Sequence, residues 1–436
     1  MNISNCFKEF AKYSSLNVLG MIAISCYILA DTFFVSKGVS TNGLAALNLA
    51  IPIYSFIHGS GLMIGIGGGT KYSIQKSQKD DDNSNRIFSN GILVALGFGI
   101  TFVLIGLLFS KKIISFFGAQ GNVLEMSNTY LFVILMFASA FLINNVLLCF
   151  VRNDGAPQLS MAAMIGGSFS NIILDWIFIF PCNMGIFGAA LATGLAPIIS
   201  MLIIAPYFVR KKNGFHLIKC KINARLVLGI FSNGAPSLIT EVSSGIVMIV
   251  FNSIILSIAG NVGVAAYGVI ANLSLVVIAI YTGIAQGIQP IISRNYGVSE
   301  LSNIKSILKY AIVTTMIISA IIYSVVFVGA SQITSIFNSE QNPILQQIAT
   351  DGLRLYFVAC PFVGFNIIIA MYFISTELPR PAHIISLLRG FFVIIPMAFL
   401  LAFIAKIGGV WCAFPTTELL VSIVGILLYR ISKKKK

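Results

Sequence analysis

The sequence predicts an all-α membrane protein with twelve transmembrane helices, arranged as two six-helix repeat lobes around a central cavity. Apolar residues make up 57% of the chain and charged residues 10%, with a mean hydropathy of +0.93. This composition is typical of a chain that lies in lipid. Apolar runs of about 20 residues recur along the whole length, and each is long enough as a helix to cross a ~30 Å hydrocarbon core. A weak internal repeat relates the two halves.

The apolar runs follow one another with short polar connections. The polar N-terminal stretch is too long, and the first apolar run too extended, for a cleaved secretory signal, so we expect this run to remain as the first helix. A short turn at 181–185 joins the fifth and sixth runs. The predicted spans are 14–36, 44–69, 88–109, 127–149, 159–181, 187–209, 232–257, 264–290, 308–329, 353–375, 384–404 and 410–430.

Positive charge is concentrated in alternate loops, although the chain carries a formal net charge of +14. With the N-terminus in the cytoplasm, the Lys and Arg residues left on the outer side are Lys37, Lys111, Lys112, Arg354 and Lys406. This bias predicts a multi-pass protein of the cell membrane with both termini cytoplasmic. Because topology explains the charge, we expect the lipid bilayer and not a nucleic acid as its partner.

The longest charged linker separates six spans from six. At one constant offset Gly67 aligns with Gly287, and at a slightly longer offset Pro157 aligns with Pro381. A steady offset across several spans indicates duplication, and an even number of spans makes the halves parallel repeats with a cavity between them. The predicted divisions are an N-lobe at 1–209, a cytoplasmic linker at 210–227 and a C-lobe at 228–436.

Four acidic residues fall inside the predicted spans, namely Asp31, Asp175, Glu241 and Glu418. A charged residue at the centre of a membrane helix costs about 2.5 to 3.5 kcal/mol on insertion scales, so such residues usually have a function. We expect no Lys or Arg deep enough inside a span to neutralise them. An unpaired carboxyl group in apolar surroundings favours binding of a proton or a small cation.

Depth along the helices predicts one shared cation-coupling site in the N-lobe. At ~1.5 Å per residue, Asp31 lies about 26 Å along the first span and Asp175 about 24 Å along the fifth. Asn171 precedes Asp175 by one helical turn on the same face, and Thr193 enters the sixth span at a similar level. Two carboxylates, an amide and a hydroxyl suit Na⁺ at Asp31 and Asp175, or a relay for H⁺. We expect no cofactor besides this coupling ion.

Two further features have an ordinary structural interpretation. His58 in the second span has the chemistry of a proton carrier, but a lone histidine on an apolar helix is more often a packing residue. The glycine-rich run at 65–71 resembles a phosphate loop but lacks its Gly-Lys-Ser/Thr ending, and close helix packing explains it better.

Several motifs together resemble those of the multidrug and toxic compound extrusion (MATE) family, and within it the MepA-type bacterial branch. The resemblance covers all twelve spans. Its marks are Ala30-Asp31-Thr32-Phe33-Phe34-Val35, Gly155-Ala156-Pro157, Asn171 with Asp175, Gly188-Ala189-Ala190 with Thr193, Gly234-Ala235-Pro236 with Glu241, and Gln286-Gly287 with Pro290 and Asn295-Tyr296-Gly297.

The resemblance implies a secondary active antiporter that exports cationic or hydrophobic drugs and toxic organic compounds in exchange for inward H⁺ or Na⁺. It implies a cation site at the positions of Asp31, Asn171, Asp175 and Thr193. We assign Glu241, Gln286 and Glu418 to the substrate cavity, with helix capping as the alternative for Glu418. The first span departs from many relatives because it contains no proline between Ser15 and Ala30.

The main alternative is a lipid-linked oligosaccharide or lipid flippase of the same superfamily. Such a protein needs a cationic cavity for a pyrophosphate head group, whereas this chain places acids inside its spans. An enzyme is disfavoured because the sequence contains no HExxH, no GxSxG and no paired metal histidines. We expect a monomeric transporter.

Overall fold

The computed structural model describes residues 3–338 and 341–434, and this part of the chain is helical with no strand. The predicted all-helical class is therefore confirmed. The helices are α1 (Ile3–Gly38), α2 (Thr41–Ser77), α3 (Asp81–Phe116), α4 (Gly121–Met136), α5 (Ala138–Asn153), α6 (Pro157–Ile179), α7 (Gly185–Val209), α8 (Ala224–Gly297), α9 (Leu301–Phe337), α10 (Pro343–Tyr356), α11 (Cys360–Ser375), α12 (Pro379–Leu387) and α13 (Ile394–Lys434), with a 3₁₀ turn at Phe357–Ala359 and a π turn at Leu388–Phe392.

Within the described residues, nine helices are long and apolar enough to cross a membrane, and the pair α4 and α5, bent by 49°, makes a tenth span. Two of these ten contain a break in the helical backbone. Gly260 in α8 has φ 61°, and Lys406 in α13 has φ 50°. Dividing both helices at their breaks gives twelve segments, which correspond in order to the twelve predicted runs. Glycine adopts positive φ without the steric cost that other residues meet, so Gly260 suits the position of its break.

Several helices extend well beyond their apolar runs. Helices α1, α2 and α3 contain 36, 37 and 36 residues, or about 54 Å at ~1.5 Å per residue. A hydrocarbon core is only ~30 Å thick, so the polar ends of these helices must lie in the interfacial region or in water. Hydrophobicity therefore marks the membrane-embedded part of each helix and leaves its true ends unmarked.

Capping residues mark the beginnings of several helices. The Asp80 carboxylate accepts the Asn83 N–H at 3.1 Å before α3, and the Asn223 side chain accepts the Leu226 N–H at 3.2 Å before α8. These side chains satisfy amide groups that have no partner inside the helix. The Asn83 contacts also hold the pKa of the exposed Asp80 carboxyl below its ordinary value. The acidic loop at 80–82 thus begins a helix as well as being solvated.

The chain forms two compact units. The first unit comprises Leu19–Val242 and Ser293–Glu300, and the second comprises Met1–Val18, Ser243–Ile292 and Leu301–Lys436. The predicted cation-coupling residues all belong to the first unit, while Gln286 and Glu418 belong to the second. The division into two lobes at the 210–227 linker stays a prediction, and both chain ends lie outside the described residues.

The predicted cytoplasmic linker is fixed to the first unit by hydrogen bonds from its backbone. The Gly214 N–H donates to the Asp154 carboxylate at 2.7 Å, and the Ile218 N–H donates to the Ser89 hydroxyl at 2.9 Å. The Phe215 ring is fully buried among the aromatic rings of Tyr72, Phe88, Phe150 and Phe208. The linker is therefore an ordered part of this unit and not a loose tether.

Replacing Phe215 with alanine is expected to lower the stability of the first unit by about 3 to 5 kcal/mol, the usual cost of deleting a buried aromatic side chain. The neighbouring Leu217→Ala is the matched control, because the Leu217 side chain is 66% exposed. Thermal unfolding of the purified variants in detergent measures both. Equal melting temperatures for the two variants would show that the linker is not anchored by Phe215.

Candidate functional site

Helices α6 and α7 bring Asn171, Asp175 and Thr193 together. Gly167 lies one turn before Asn171, and a Cβ atom there would lie 3.1 Å from the Ala196 carbonyl oxygen. The missing side chain lets the two helices approach closely at this level. The Asn171 side chain is placed in the amide orientation that gives both its nitrogen and its oxygen a partner. Its nitrogen then donates to Asp175 Oδ2 at 3.1 Å, and its oxygen accepts the Thr193 N–H at 3.3 Å. The Thr193 hydroxyl donates to the Ala189 carbonyl at 3.0 Å.

Helices α1 and α4 complete this cluster. Asp31 on α1 is only 7% exposed, and its carboxyl group and that of Asp175 are close enough to repel each other electrostatically. Tyr130 on α4 interacts with the Thr193 side chain and, electrostatically, with both carboxyl groups. The four residues predicted to share one site therefore lie together. Their role in cation coupling stays a prediction.

Each of the two carboxyl groups has one oxygen without a protein partner. Asp31 Oδ1 and Asp175 Oδ1 are buried and make no hydrogen bond within the described part of the chain. A buried polar atom without a partner costs about 1 to 3 kcal/mol, and more when it is charged. Two such oxygens in one cluster of side chains are chemically suited to binding a proton or a small cation.

Sequence reasoning missed the tyrosines of this cluster. The Tyr27 and Tyr54 hydroxyl groups lie 3.0 Å apart, and both interact electrostatically with Asp31. Tyr27 precedes Asp31 by one helical turn, so the i, i+4 spacing was a usable signal. Tyr130 has no comparable signal, because α4 is distant from α1, α6 and α7 in the sequence.

His58 on α2 faces Glu241 on α8, a contact that the sequence did not predict. His58 Nδ1 lies 3.6 Å from Glu241 Oε2, with the two side chains 24% and 34% exposed. Close contact between α2 and α8 accounts for this placement. A Cβ atom on Gly67 would collide with the Ile230 carbonyl oxygen, and one on Gly234 with the Met63 carbonyl oxygen. The packing interpretation of the glycine-rich run is consistent with these contacts.

Gly67→Ala and Gly234→Ala are each expected to destabilise the first unit by about 1 to 3 kcal/mol, the usual cost of overpacking. Gly97→Ala is the control, because a Cβ atom at Gly97 meets nothing within 4 Å. Since alanine favours a helix over glycine, that control should be neutral or stabilising. Melting temperatures in detergent distinguish the two classes, and a harmless Gly67→Ala would contradict the close crossing.

The expectation of unpaired acids inside the spans is wrong for Glu418, which lies in the second unit. We expected no basic residue inside a span to neutralise the acids, but Arg389 Nε donates to both carboxylate oxygens of Glu418 at 2.9 and 3.0 Å. The Asn366 amide donates to Glu418 Oε2 at 2.7 Å, and Ser422 donates to Asn366 Oδ1 at 3.1 Å. Glu418 is 2% exposed and is thus a buried, paired acid.

The π turn at Leu388–Phe392 carries Arg389, and it includes a hydrogen bond from the Val393 N–H to the Leu388 carbonyl at 3.0 Å. Gln286, the remaining predicted cavity residue, is 5% exposed on α8 in the same unit. The assignment of Gln286, Glu241 and Glu418 to a substrate cavity stays a prediction.

A family model described as MatE matches residues 18–177 and 236–400, which together cover most of the chain. The chain belongs to the MatE family. The predicted resemblance is therefore confirmed. Multidrug export protein MepA of Staphylococcus saprophyticus is similar to this MatE chain, with 27% identity over 427 residues that cover 98% of this chain and 94% of the relative.

Solved structures agree with this fold. One of them is described as the outward-facing conformation of a multidrug resistance MATE family transporter of the MOP superfamily. It is 24% identical to this chain, with a TM-score of 0.92, and the match covers 98% of this chain and 97% of the solved chain. A second solved structure is a MOP superfamily transporter from Pyrococcus furiosus, and it is described as having a binding pocket of reverse polarity that suggests a different function. It is 25% identical to this chain, with a TM-score of 0.91, and the match covers 98% of this chain and 96% of the solved chain. The named relatives are described as a multidrug export protein and as transporters.

Proposed function

We propose that the protein is a multidrug exporter of the cell membrane, which moves organic cations outward in exchange for H⁺ or Na⁺ moving inward. The observation that carries this proposal is the buried pair of Asp31 and Asp175. Each of them has a buried oxygen without a protein partner, the two carboxyl groups interact electrostatically, and no Lys, Arg or His forms an ion pair with either residue among those the structure describes. The export function itself is carried over from the similarity to the multidrug export protein named MepA.

The proposed mechanism couples ion binding to the packing of the first unit. An ion that enters from outside neutralises the two carboxyl groups and supplies the partner that their free oxygens lack. The state with a bound ion then packs differently and holds the organic cation less tightly. An ion can shift this equilibrium only by its difference in affinity for the two states.

The energy available depends on stoichiometry. If one monovalent ion enters as one monovalent organic cation leaves, the charges balance and the membrane potential does no net work. One pH unit then corresponds to about 1.36 kcal/mol, or a tenfold gradient of the organic cation. A second inward ion would add about 2.3 kcal/mol per 100 mV of membrane potential.

Transport from vesicles tests this proposal. Purified protein is reconstituted, and efflux of ethidium is followed with a proton gradient and a sodium gradient imposed separately. We expect one gradient, or both, to drive export above the rate seen without a gradient. Export with neither gradient imposed would contradict antiport. Stimulation of transport by a pyrophosphate-linked lipid, without movement of ethidium, would favour the flippase.

A further inference from the structure

Two pairs of polar side chains in the first unit lie opposite each other on α1 and α2. Tyr27 and Asp31 are four residues apart on α1, and Tyr54 and His58 are four residues apart on α2. Residues at this spacing lie one turn apart on one face of a helix. The Tyr27 and Tyr54 hydroxyl groups, 3.0 Å apart, join the two pairs by a hydrogen bond.

The contacts continue from Tyr54 to α8. The Tyr54 ring stacks on the His58 imidazole with centroids 5.9 Å apart and an interplanar angle of 16°. Tyr54 interacts electrostatically with Asp31 on one side and with Glu241 on the other. His58 Nδ1 lies 3.6 Å from Glu241 Oε2. Five side chains thus form one series from Asp31, through Tyr27 and Tyr54, to the pair of His58 and Glu241.

The two ends of this series differ in their exposure. Asp31 is 7% exposed, whereas the side chains of His58 and Glu241 are 24% and 34% exposed. Histidine is the side chain that most readily takes up and releases a proton near neutral pH. The partly exposed pair is therefore the more accessible end for proton exchange, and a proton bound at the buried Asp31 needs an intermediary to reach it.

From these contacts we infer that His58 and Glu241 form a second proton-binding site, and that Tyr27 and Tyr54 relay protons between this site and Asp31. The inference rests on the proposed antiport with H⁺ as the coupling ion. Each tyrosine hydroxyl accepts one proton and donates another, so no tyrosine changes its charge overall. The path between the Tyr54 hydroxyl and the His58–Glu241 pair requires a bridging water molecule at the partly exposed end.

The proposed direction of the relay follows from the topology. α1 and α2 are consecutive spans and cross the membrane in opposite directions. With the N-terminus in the cytoplasm, Tyr27 lies on the cytoplasmic side of Asp31, and His58 lies on the cytoplasmic side of Tyr54. The series therefore leads from the buried acids toward the cytoplasm, which is the direction that an entering proton must take.

Further titratable groups face the relay from other helices. From α6, Asp175 interacts electrostatically with Asp31. From α4, Tyr130 interacts electrostatically with Tyr54 and Asp31. From α5, Asn145 donates to the His58 carbonyl oxygen at 3.3 Å, and Phe141 contacts the Tyr54 ring edge to face at 5.4 Å. In the described part of the chain, the titratable groups that face the relay include Asp31, Asp175, Glu241, His58 and the three tyrosines.

Two transport measurements, proton-driven ethidium export and ethidium-for-ethidium exchange, distinguish a relay from a structural role. The purified full chain is reconstituted in vesicles that contain a pH-sensitive dye. Proton-driven ethidium export requires net proton movement, whereas exchange of ethidium for ethidium at equal pH does not. His58→Gln and Tyr54→Phe are expected to slow proton-driven export at least tenfold and to leave ethidium exchange within twofold of wild type. His216→Gln is the matched control, because His216 lies exposed in the linker, and it should leave both rates unchanged.

Several results would overturn the relay. Wild-type proton-driven export in both variants would show that the path is not used, and an equal loss of both kinds of exchange would show that the residues are structural. Export driven by sodium alone in the wild-type protein would also remove the relay while leaving the proposed antiport intact. Export of ethidium under neither gradient would instead contradict the proposed function itself.

Discussion

Asp31→Asn and Asp175→Asn are each expected to reduce ion-driven ethidium export to the level of vesicles that contain no protein. The substitution keeps the size of the side chain and removes the charge. Since Asp31 Oδ1 and Asp175 Oδ1 are both buried without a protein partner, an amide at either position cannot take up the coupling proton and removes the negative charge that attracts Na⁺. Export under the driving gradient measures the loss.

Glu125→Gln provides the matched control, because Glu125 is an exposed acid on α4, and its substitution should leave export unchanged. The two aspartate variants should still reach the membrane and bind ethidium at equilibrium. Such binding shows that the protein is folded and that coupling alone is lost. Export at the wild-type rate in both aspartate variants would refute their role in coupling.

Glu418→Ala is expected to destabilise the second unit by about 3 to 5 kcal/mol, the usual cost of leaving one charge of a buried ion pair without its partner. Arg389 is 14% exposed and donates to both carboxylate oxygens of Glu418. Without them the guanidinium group keeps its charge and loses its acceptors. Thermal unfolding in detergent measures the effect.

A double variant distinguishes a lost partner from lost packing. Arg389→Met combined with Glu418→Met removes both charges and keeps most of the volume, and such replacements are often neutral or stabilising. The Asn366 amide still has the Glu418 backbone carbonyl as an acceptor at 2.8 Å. We expect the double variant to recover most of the stability that Glu418→Ala loses.

The exposed pair of Arg86 and Asp82 provides the comparison, since these side chains are 54% and 76% exposed. Exposed ion pairs contribute little because water screens them, so Asp82→Ala should hardly change the melting temperature. An equally small effect of Glu418→Ala would show that the buried pair does not stabilise the second unit.

Local sequence patterns determined the membrane-embedded segments and part of the candidate site. Apolar runs of the right length predict spans because every backbone polar group in lipid must be satisfied within its own helix. The spacing of Asn171 and Asp175 placed them on one face of α6, because residues four apart on a helix are neighbours. Depth along the helices also placed Asp31 and Thr193 at the level of Asp175.

Only the tertiary structure decided which residues from different helices meet. Tyr130 joins Thr193, His58 faces Glu241, and these partners lie far apart in the sequence. Helical periodicity orders the side chains of one helix and says nothing about the rotation of its neighbours.

The sequence could not predict the pairing of Arg389 with Glu418 for a further reason. A π turn adds a residue to one turn of helix, so at Leu388–Phe392 the direction of a side chain no longer follows from regular helical spacing. The sequence therefore determined which segments enter the membrane and which acids they carry. Helix packing determined that Asp31 and Asp175 keep unpaired oxygens while Glu418 is neutralised. The reason is that the neighbours of a buried acid in space decide whether it has a partner.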